Sequence, residues 1–391
     1  MRGAYSSGPR RVVVTGLGTV NAAAAGGAVA LAAALRSGRS AIAPIRSFDV
    51  DGAACRLAAE VDEATLADLV DRDAARRLSR ICRLAVAASR QAVADARLDP
   101  AAAGRLAIVM GTEHGDFRSS EEFAAGFLRR GVGGLSPMIF PNTVMNAMGA
   151  VAAIAVGARG PTITVNQATV AGDLAVARGA RLVASGQADA VLAGGVDEIC
   201  APVYRRLAEM RVLSPMGHST PEGCRPFAAD HNGPVIGEGA TLLVLEEREA
   251  ARARGATVHA EVLAAAWSNI PVTPHTAPST RRDPRSPVLR ALSDAGLPAG
   301  AVAACYAAGN GDPAVDDWEV GLLGEDLRDA AGLRVPESLR SLAPMFGQHG
   351  GLGALRAGAA ALAVGAGAGA ALVHGIARGG CRTAILLGRA A

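Results

Sequence analysis

A helix–turn–strand signal occurs twice in this chain, about half its length apart, and it narrows the choice of fold more than any other pattern. Asp95-Ala96-Arg97-Leu98-Asp99-Pro100 closes a stretch of helical periodicity and leads into the apolar run 106–110. Asp294-Ala295-Gly296-Leu297-Pro298 does the same before the run that ends at Tyr306. Each run then enters a loop ending in Gly-Asp, at Gly115-Asp116 and at Gly311-Asp312. Two copies of one α/β unit account for this echo, with chance recurrence as the competing account. Paired parallel-sheet halves set ligands at the carboxyl ends of their strands, near where the halves meet.

The rest of the pattern alternates in the same way. Residues 11–15 read as a buried strand ending at Gly16-Leu17-Gly18, and 80–96 as an amphipathic helix. Strands are expected over 106–110, 162–165 and 188–193, with a helix over 172–185 closed by Gly186. The spacing fits a right-handed βαβ unit. Gly16-Leu17-Gly18 after a strand invites a dinucleotide-binding reading, but Asn21 stands where the third glycine belongs.

Composition removes several functions. Half of the 391 residues are hydrophobic yet only 3% are aromatic, so the core is built from small side chains, which suits closely packed layers. All 39 basic residues are arginine, against 36 acidic ones; a net charge of +3 gives no reason to expect nucleic acid. Six cysteines lie far apart without a Cys-x-x-Cys pair, and seven histidines are scattered, so no metal site is expected. There is no Gly-x-Ser-x-Gly elbow. The run 352–373 is apolar, but Arg356 interrupts it; a buried helix entering a strand is expected, not a membrane span. Without a basic-then-apolar leader, a soluble cytoplasmic protein is the expectation.

Five motifs in order then resemble the β-ketoacyl-acyl-carrier-protein synthases, or ketosynthases, of the thiolase superfamily. They are Arg11-Val12-Val13-Val14-Thr15-Gly16-Leu17-Gly18; Ser136-Pro137 with Pro141-Asn142-Thr143 and Asn146; Arg159-Gly160-Pro161; Gly186 with Gly194-Gly195; and Arg225-Pro226-Phe227 with Asp230, Gly233 and Gly237-Glu238-Gly239-Ala240. The resemblance implies an α/β thiolase-type fold, in which duplicated αβαβα halves form a five-layered sandwich. It divides the chain into a flexible start (1–10), a first half with interface insertions (11–250) and a second half (251–391).

The resemblance also implies a cysteine nucleophile at a helix amino terminus and two histidines, and here the sequence departs from it. The cysteine position falls on Thr169, a poor nucleophile without an adjacent base. Gln167 lies two residues early; glutamine at the cysteine position occurs in chain length factors and loading decarboxylases, but a strand-end glutamine bonded to backbone explains it as well. The first histidine position is Ala308. The second is Met345 or Gly347, depending on the flank from which it is counted, and His349 is expected as a structural or loop histidine. Arg378 replaces the gating phenylalanine. Fold retained with chemistry removed resembles a chain length factor, the silent partner of an active ketosynthase in type II polyketide biosynthesis. An acyltransferase or decarboxylase with an altered site is the alternative.

By the same resemblance Met138, Ile139 and Phe140 lie on a loop crossing to the partner, while His114 and Phe117 line the end of an acyl tunnel; ordinary packing explains each equally well. The implied partners are the active ketosynthase and an acyl carrier protein that presents phosphopantetheinyl substrates. Arg205, Arg206 and Arg211 either meet that acidic carrier or are solvated surface. No cofactor is implied.

Overall fold

The computed structural model describes residues 10–99, 105–216, 220–273, 276, 283–328 and 339–390. Of the expected flexible start, residues 1–9 lie outside the described residues, as does Pro100 of the first echo. The strands in chain order are β1 (Val12–Asn21), β2 (Ala25–Gly26), β3 (Ala43–Pro44), β4 (Leu57–Ala58), β5 (Leu106–Thr112), β6 (Thr162–Asn166) and β7 (Ala190–Asp197). They continue with β8 (Gly239–Glu247), β9 (Ala260–Asn269), β10 (Val302–Tyr306), β11 (Leu339–Arg340), β12 (Ala370–Ile376) and β13 (Cys381–Gly388).

Among the described residues, eleven of these strands form one sheet in the order β11-β10-β12-β13-β9-β1-β8-β7-β5-β6, with β2 added to β1. Read outward from the β9–β1 seam, its two sides are copies. In each, the first strand pairs antiparallel with the fifth and the fifth antiparallel with the fourth. The second strand then lies parallel between the fourth and the third. The two sides join only where Val12, Val13 and Val14 meet Val262, Glu261 and Ala260. The repeated sequence signal therefore marks a structural duplication: β5 and β10 are the equivalent second strands.

Layering follows from which face of each strand is apolar. Val109, Val191 and Leu243 of the first half share one core with Tyr306, Val373 and Ile385 of the second, and helices Ala171–Ala184 and Leu352–Gly365 fill the space between them. The opposite face of the first half, with Ile108, Leu192 and Leu242, packs under helices Arg80–Asp95 and Ala147–Val156. The opposite face of the second half, with Val302, Leu372 and Leu386, is covered by helix Pro287–Ala295. Helix, sheet, helix pair, sheet, helix is the five-layered thiolase-type sandwich.

Three sequence expectations change in detail: the strand expected over 188–193 is β7, which starts at Ala190 and runs on to Asp197. The strand expected over 11–15 runs on to Asn21, straight through Gly16-Leu17-Gly18. A Cβ on Gly18 would lie 2.0 Å from the Ala88 carbonyl oxygen, and one on Gly16 2.6 Å from that of Ala92. These glycines let helix Arg80–Asp95 lie flat on β1, which is a packing role and not a phosphate loop. The apolar run 352–373 divides into helix Leu352–Gly365 and the start of β12, as expected; no described helix is long and apolar enough to cross a membrane. Arg356 does not merely interrupt that helix. Its guanidinium donates to both oxygens of Asp173, at 2.9 and 3.0 Å, and so ties the two central helices together in the middle of the core.

Candidate functional site

Strand β6 ends at Asn166, and the central helix begins at Ala171. Thr169 sits in the short link between them, with a φ of 55°. A left-handed conformation costs a β-branched residue about 1–2 kcal/mol. The link therefore keeps a strained turn at the tip of a buried helix although its side chain is only a hydroxyl. That hydroxyl donates to the carbonyl oxygen of Ile376 at 3.1 Å. The Thr169 N–H donates to the carboxylate of Glu113 at 3.2 Å. One turn further into the helix start, the Gly172 N–H donates to the Gly350 carbonyl at 3.1 Å. Gln167 lies earlier in the link, half-buried, and Thr169 alone has the strained position.

Glu113 is placed by a buried carboxylate at the end of β7. Asp197 accepts hydrogen bonds from the Thr112 hydroxyl at 2.6 Å, the Glu113 N–H at 3.0 Å and the His114 N–H at 3.1 Å. Its second oxygen accepts the Gly350 N–H at 2.8 Å. Asn166 adds a bond from its amide to the Glu113 carbonyl at 2.9 Å. One carboxylate thus locks the end of β5 to the glycine loop carrying His349. Burial pushes the Glu113 carboxyl above the usual carboxylate range, and Asp197 adds to the shift, while His114 and the Thr169 N–H oppose it.

His349 is buried beside this lock. Its Nδ1 accepts the Gly351 N–H at 3.1 Å, so the neutral ring carries its proton on Nε2, which has no partner among the described residues. Burial first, and Arg356 second, pull its pKa down to about 4, against the opposing charge of Asp197. It is a neutral imidazole across the physiological range. Of the two positions counted for the second histidine, Met345 lies in the short helix Ala343–Phe346 against the central core, and Gly347 packs on Gly237.

The loop after β10, which holds Ala308, is clamped by two carboxylates of helix Pro313–Asp326. Glu319 accepts the Ala308 N–H at 2.9 Å and the Gly309 N–H at 2.7 Å. Asp316 accepts those of Asn310 at 3.0 Å and Gly311 at 3.3 Å, and meets His231 at 3.2 Å. Glu319 also touches His374 Nδ1 at 2.6 Å, and His374 Nε2 meets Arg382, whose guanidinium reaches Asp283 and Asp326. Arg378, at the gate position, pairs with Asp312 of the same loop, 2.8 Å from Nε to Oδ2.

The six cysteines are free thiols, five of them buried. Burial, the leading cause in each case, pushes the thiols of Cys55, Cys82, Cys200 and Cys381 up to about 11 and that of Cys224 to about 12. Cys305 is raised as well. Cys224 comes nearest the loops described, donating to the Asn310 carbonyl at 3.3 Å. All six thiols stay protonated, and so unreactive, near neutral pH.

The proposed tunnel residues separate into two groups. His114 is half-buried beside Glu113, at the helix tip. Met138 and Phe140 stand on the surface, 85% and 56% exposed, with Ile139 half-buried between them. Phe117, Leu128, Val132 and Ile154 are exposed as well, on segments that pack one against the next and, through helix Ala147–Val156, against β6, the last strand in the sheet order. Phe140 leans on Phe123, ring centroids 5.8 Å apart. Arg205 and Arg206 lie on helix Ala201–Glu209, and Arg206 pairs with Glu209. Sequence reasoning did not single out Asp197, Asp316 or Glu319, and gave Glu113 no role of its own. Asp197 and Glu113 at strand ends and Asp316 in a first helical turn look like ordinary caps, and Glu319 looks like any mid-helix acid, so no signal in the sequence sets these four apart.

Comparison with known proteins follows the same lines. The sequence model described as "Beta-ketoacyl synthase, N-terminal domain" matches residues 9–251. A 3-oxoacyl-[acyl-carrier-protein] synthase 2 of Synechocystis sp. is 33% identical over 357 residues, covering 88% of this chain and 84% of its own. The granaticin polyketide putative beta-ketoacyl synthase 1 of Streptomyces violaceoruber is 31% identical over 366 residues, covering 91% and 86%. Among solved structures, the ishigamide ketosynthase/chain length factor superposes with a TM-score of 0.87 at 29% identity, covering 98% of this chain and 100% of the other.

Proposed function

This chain belongs to the beta-ketoacyl synthase family, and from that premise we propose that it is a chain length factor: a non-condensing subunit that pairs with an active ketosynthase and shapes the acyl tunnel of type II polyketide, or related polyene or fatty acyl, biosynthesis. One observation carries the reading. At the helix tip where the family's nucleophile belongs, the side chain is Thr169, and its hydroxyl is committed to the Ile376 carbonyl. Among the described residues no carboxylate or imidazole accepts that proton, so none of them generates an alkoxide. The first histidine position is Ala308, on a loop whose N–H groups are already taken by Glu319 and Asp316. The neighbouring His349 is neutral, fixed and buried.

The exposed apolar side chains near β6 support the pairing. Large apolar side chains exposed together, next to an unpaired sheet edge, suit an obligate interface. The substrates arrive on phosphopantetheinyl acyl carrier protein, without a cofactor, in the cytoplasm. The superposition on a ketosynthase/chain length factor agrees with this role.

Co-expression with a ketosynthase that has an intact Cys–His–His set tests the proposal. A stable one-to-one complex that condenses, from a chain that alone takes no acyl group by intact mass, is the expected result. Met138→Asp and Phe140→Asp weaken the complex at least tenfold without lowering the melting temperature of the chain. An acyl adduct on Thr169 of the isolated chain would overturn the reading in favour of an acyltransferase.

A further inference from the structure

Glu113 puts a carboxyl group at the heart of this site. Glu113 sits at the end of β5, and its backbone is fixed on both sides: Asp197 holds its N–H and Asn166 its carbonyl. With the backbone pinned, the side chain turns back to the link before helix Ala171–Ala184 and takes the N–H of Thr169. That N–H belongs to the residue with the strained φ of 55°, at the positive end of a 14-residue buried helix. Donors of this kind bind an oxyanion or a polarised carbonyl oxygen. Here the chain supplies the oxygen itself.

We propose that Glu113 is an internal plug: its carboxyl group fills the oxygen-binding position at the helix tip and so excludes a thioester carbonyl from Thr169. The site is therefore closed twice, by the loss of the nucleophile and by occupation of the donor that would polarise a substrate. Two features fit a plug better than a simple cap. The carboxyl is desolvated and close to Asp197, so the contact is made at a cost that a solvated cap does not carry. It also spans two separate elements, 56 residues apart in sequence, where a cap serves its own helix. The inference rests on the reading of this pocket as a former acyl site, but not on the pairing with a ketosynthase.

A thiol placed at the helix tip reports on the plug. The full chain carrying T169C is alkylated with iodoacetamide across pH, and the modification of residue 169 is followed by peptide mass spectrometry; the six native thiols, all raised in pKa, serve as an internal control for unfolding. In T169C alone the introduced thiol reacts slowly. In T169C/E113A, with the donor freed and the carboxylate gone, the rate near neutral pH rises at least tenfold. T169C/E113Q keeps the volume and an acceptor but cannot ionise, and the midpoint of its pH–rate profile falls by about one unit, a tenfold change in the acidity of the thiol. If E113A unfolds, shown by alkylation of all the native thiols, E113Q decides. Rates within twofold of T169C and an unmoved midpoint in the folded double variants would overturn the plug. The readout uses the chain alone, so failure here leaves the co-expression test untouched.

Discussion

Arg378 donates from Nε to the Oδ2 of Asp312 at 2.8 Å and so fastens the loop between β12 and β13 to the loop after β10. The same Asp312 caps helix Pro313–Asp326 through its other oxygen, at 3.1 Å from the Ala314 N–H. Asp312 is thus at once a helix cap and one half of a charged latch.

Arg378→Ala releases that latch. With Asp312 8% and Arg378 32% exposed, the pair is partly screened, and its loss costs about 0.5–2 kcal/mol. Backbone amides of both loops, around 308–312 and 376–380, exchange faster with deuterium in the variant, and those of β1 and β8 do not. Equal exchange in the two loops before and after substitution would show that the latch does not hold them.

Arg356 and Asp173 form an ion pair in the central layer, with side chains 1% and 0% exposed. Removing one partner leaves a charge in apolar surroundings. Arg356→Met therefore costs about 3–5 kcal/mol in chemical denaturation. The double replacement Arg356→Met/Asp173→Leu recovers most of that loss, because no unpaired charge remains. If the double variant is as unstable as the two single costs added together, the ion pair is not the coupling between these helices.

Glu198, just past β7, is 4% exposed, and neither carboxyl oxygen has a hydrogen-bond partner among the described residues; Arg118 is 3.5 Å away. Burial first, then Asp116 and Glu238, push it up to about 7, against Arg118 and Arg80. The unfolded carboxyl titrates near 4.3, so between about 4.3 and 7 the folded chain holds more protons and stability falls as pH rises. Glu198→Gln removes this loss and is more stable than the parent by roughly 1–3 kcal/mol near pH 8, with the gain vanishing towards pH 5. His349 works in the opposite sense. Its folded pKa near 4 lies below the unfolded value of about 6.5, so its neutral burial favours folding increasingly as pH rises through that window. The parent therefore gains stability over a His349→Gln variant as pH rises from about 4 to 6.5, and a constant difference in melting temperature across that window would contradict the buried neutral imidazole.

Much of the fold was legible because it rests on local rules. The apolar runs at 106–110 and 162–165 became β5 and β6 with boundaries extended by only one or two residues, and the helix expected over 172–185 runs from Ala171 to Ala184. Periodicity reports which face of an element is buried, and that is enough to place it in a layer. Gly16 and Gly18 were legible only as glycines. Whether they make room for a phosphate or for a helix depends on what lies above β1, which is helix Arg80–Asp95, some 60 residues later.

The site divides along the same line. Residue identity alone placed Thr169 and Ala308 where the resemblance implies reactive groups, since a missing sulfur or imidazole needs no coordinates to be noticed. What those positions do instead depended on contacts between segments far apart: Glu113 with Thr169, Asp312 with Arg378, and Asp197 with Gly350. A carboxylate is a cap, a plug or a latch according to the donor it meets. Sequence sets the charge and reach of each group, but only the packing of two duplicated halves against each other selects the partner.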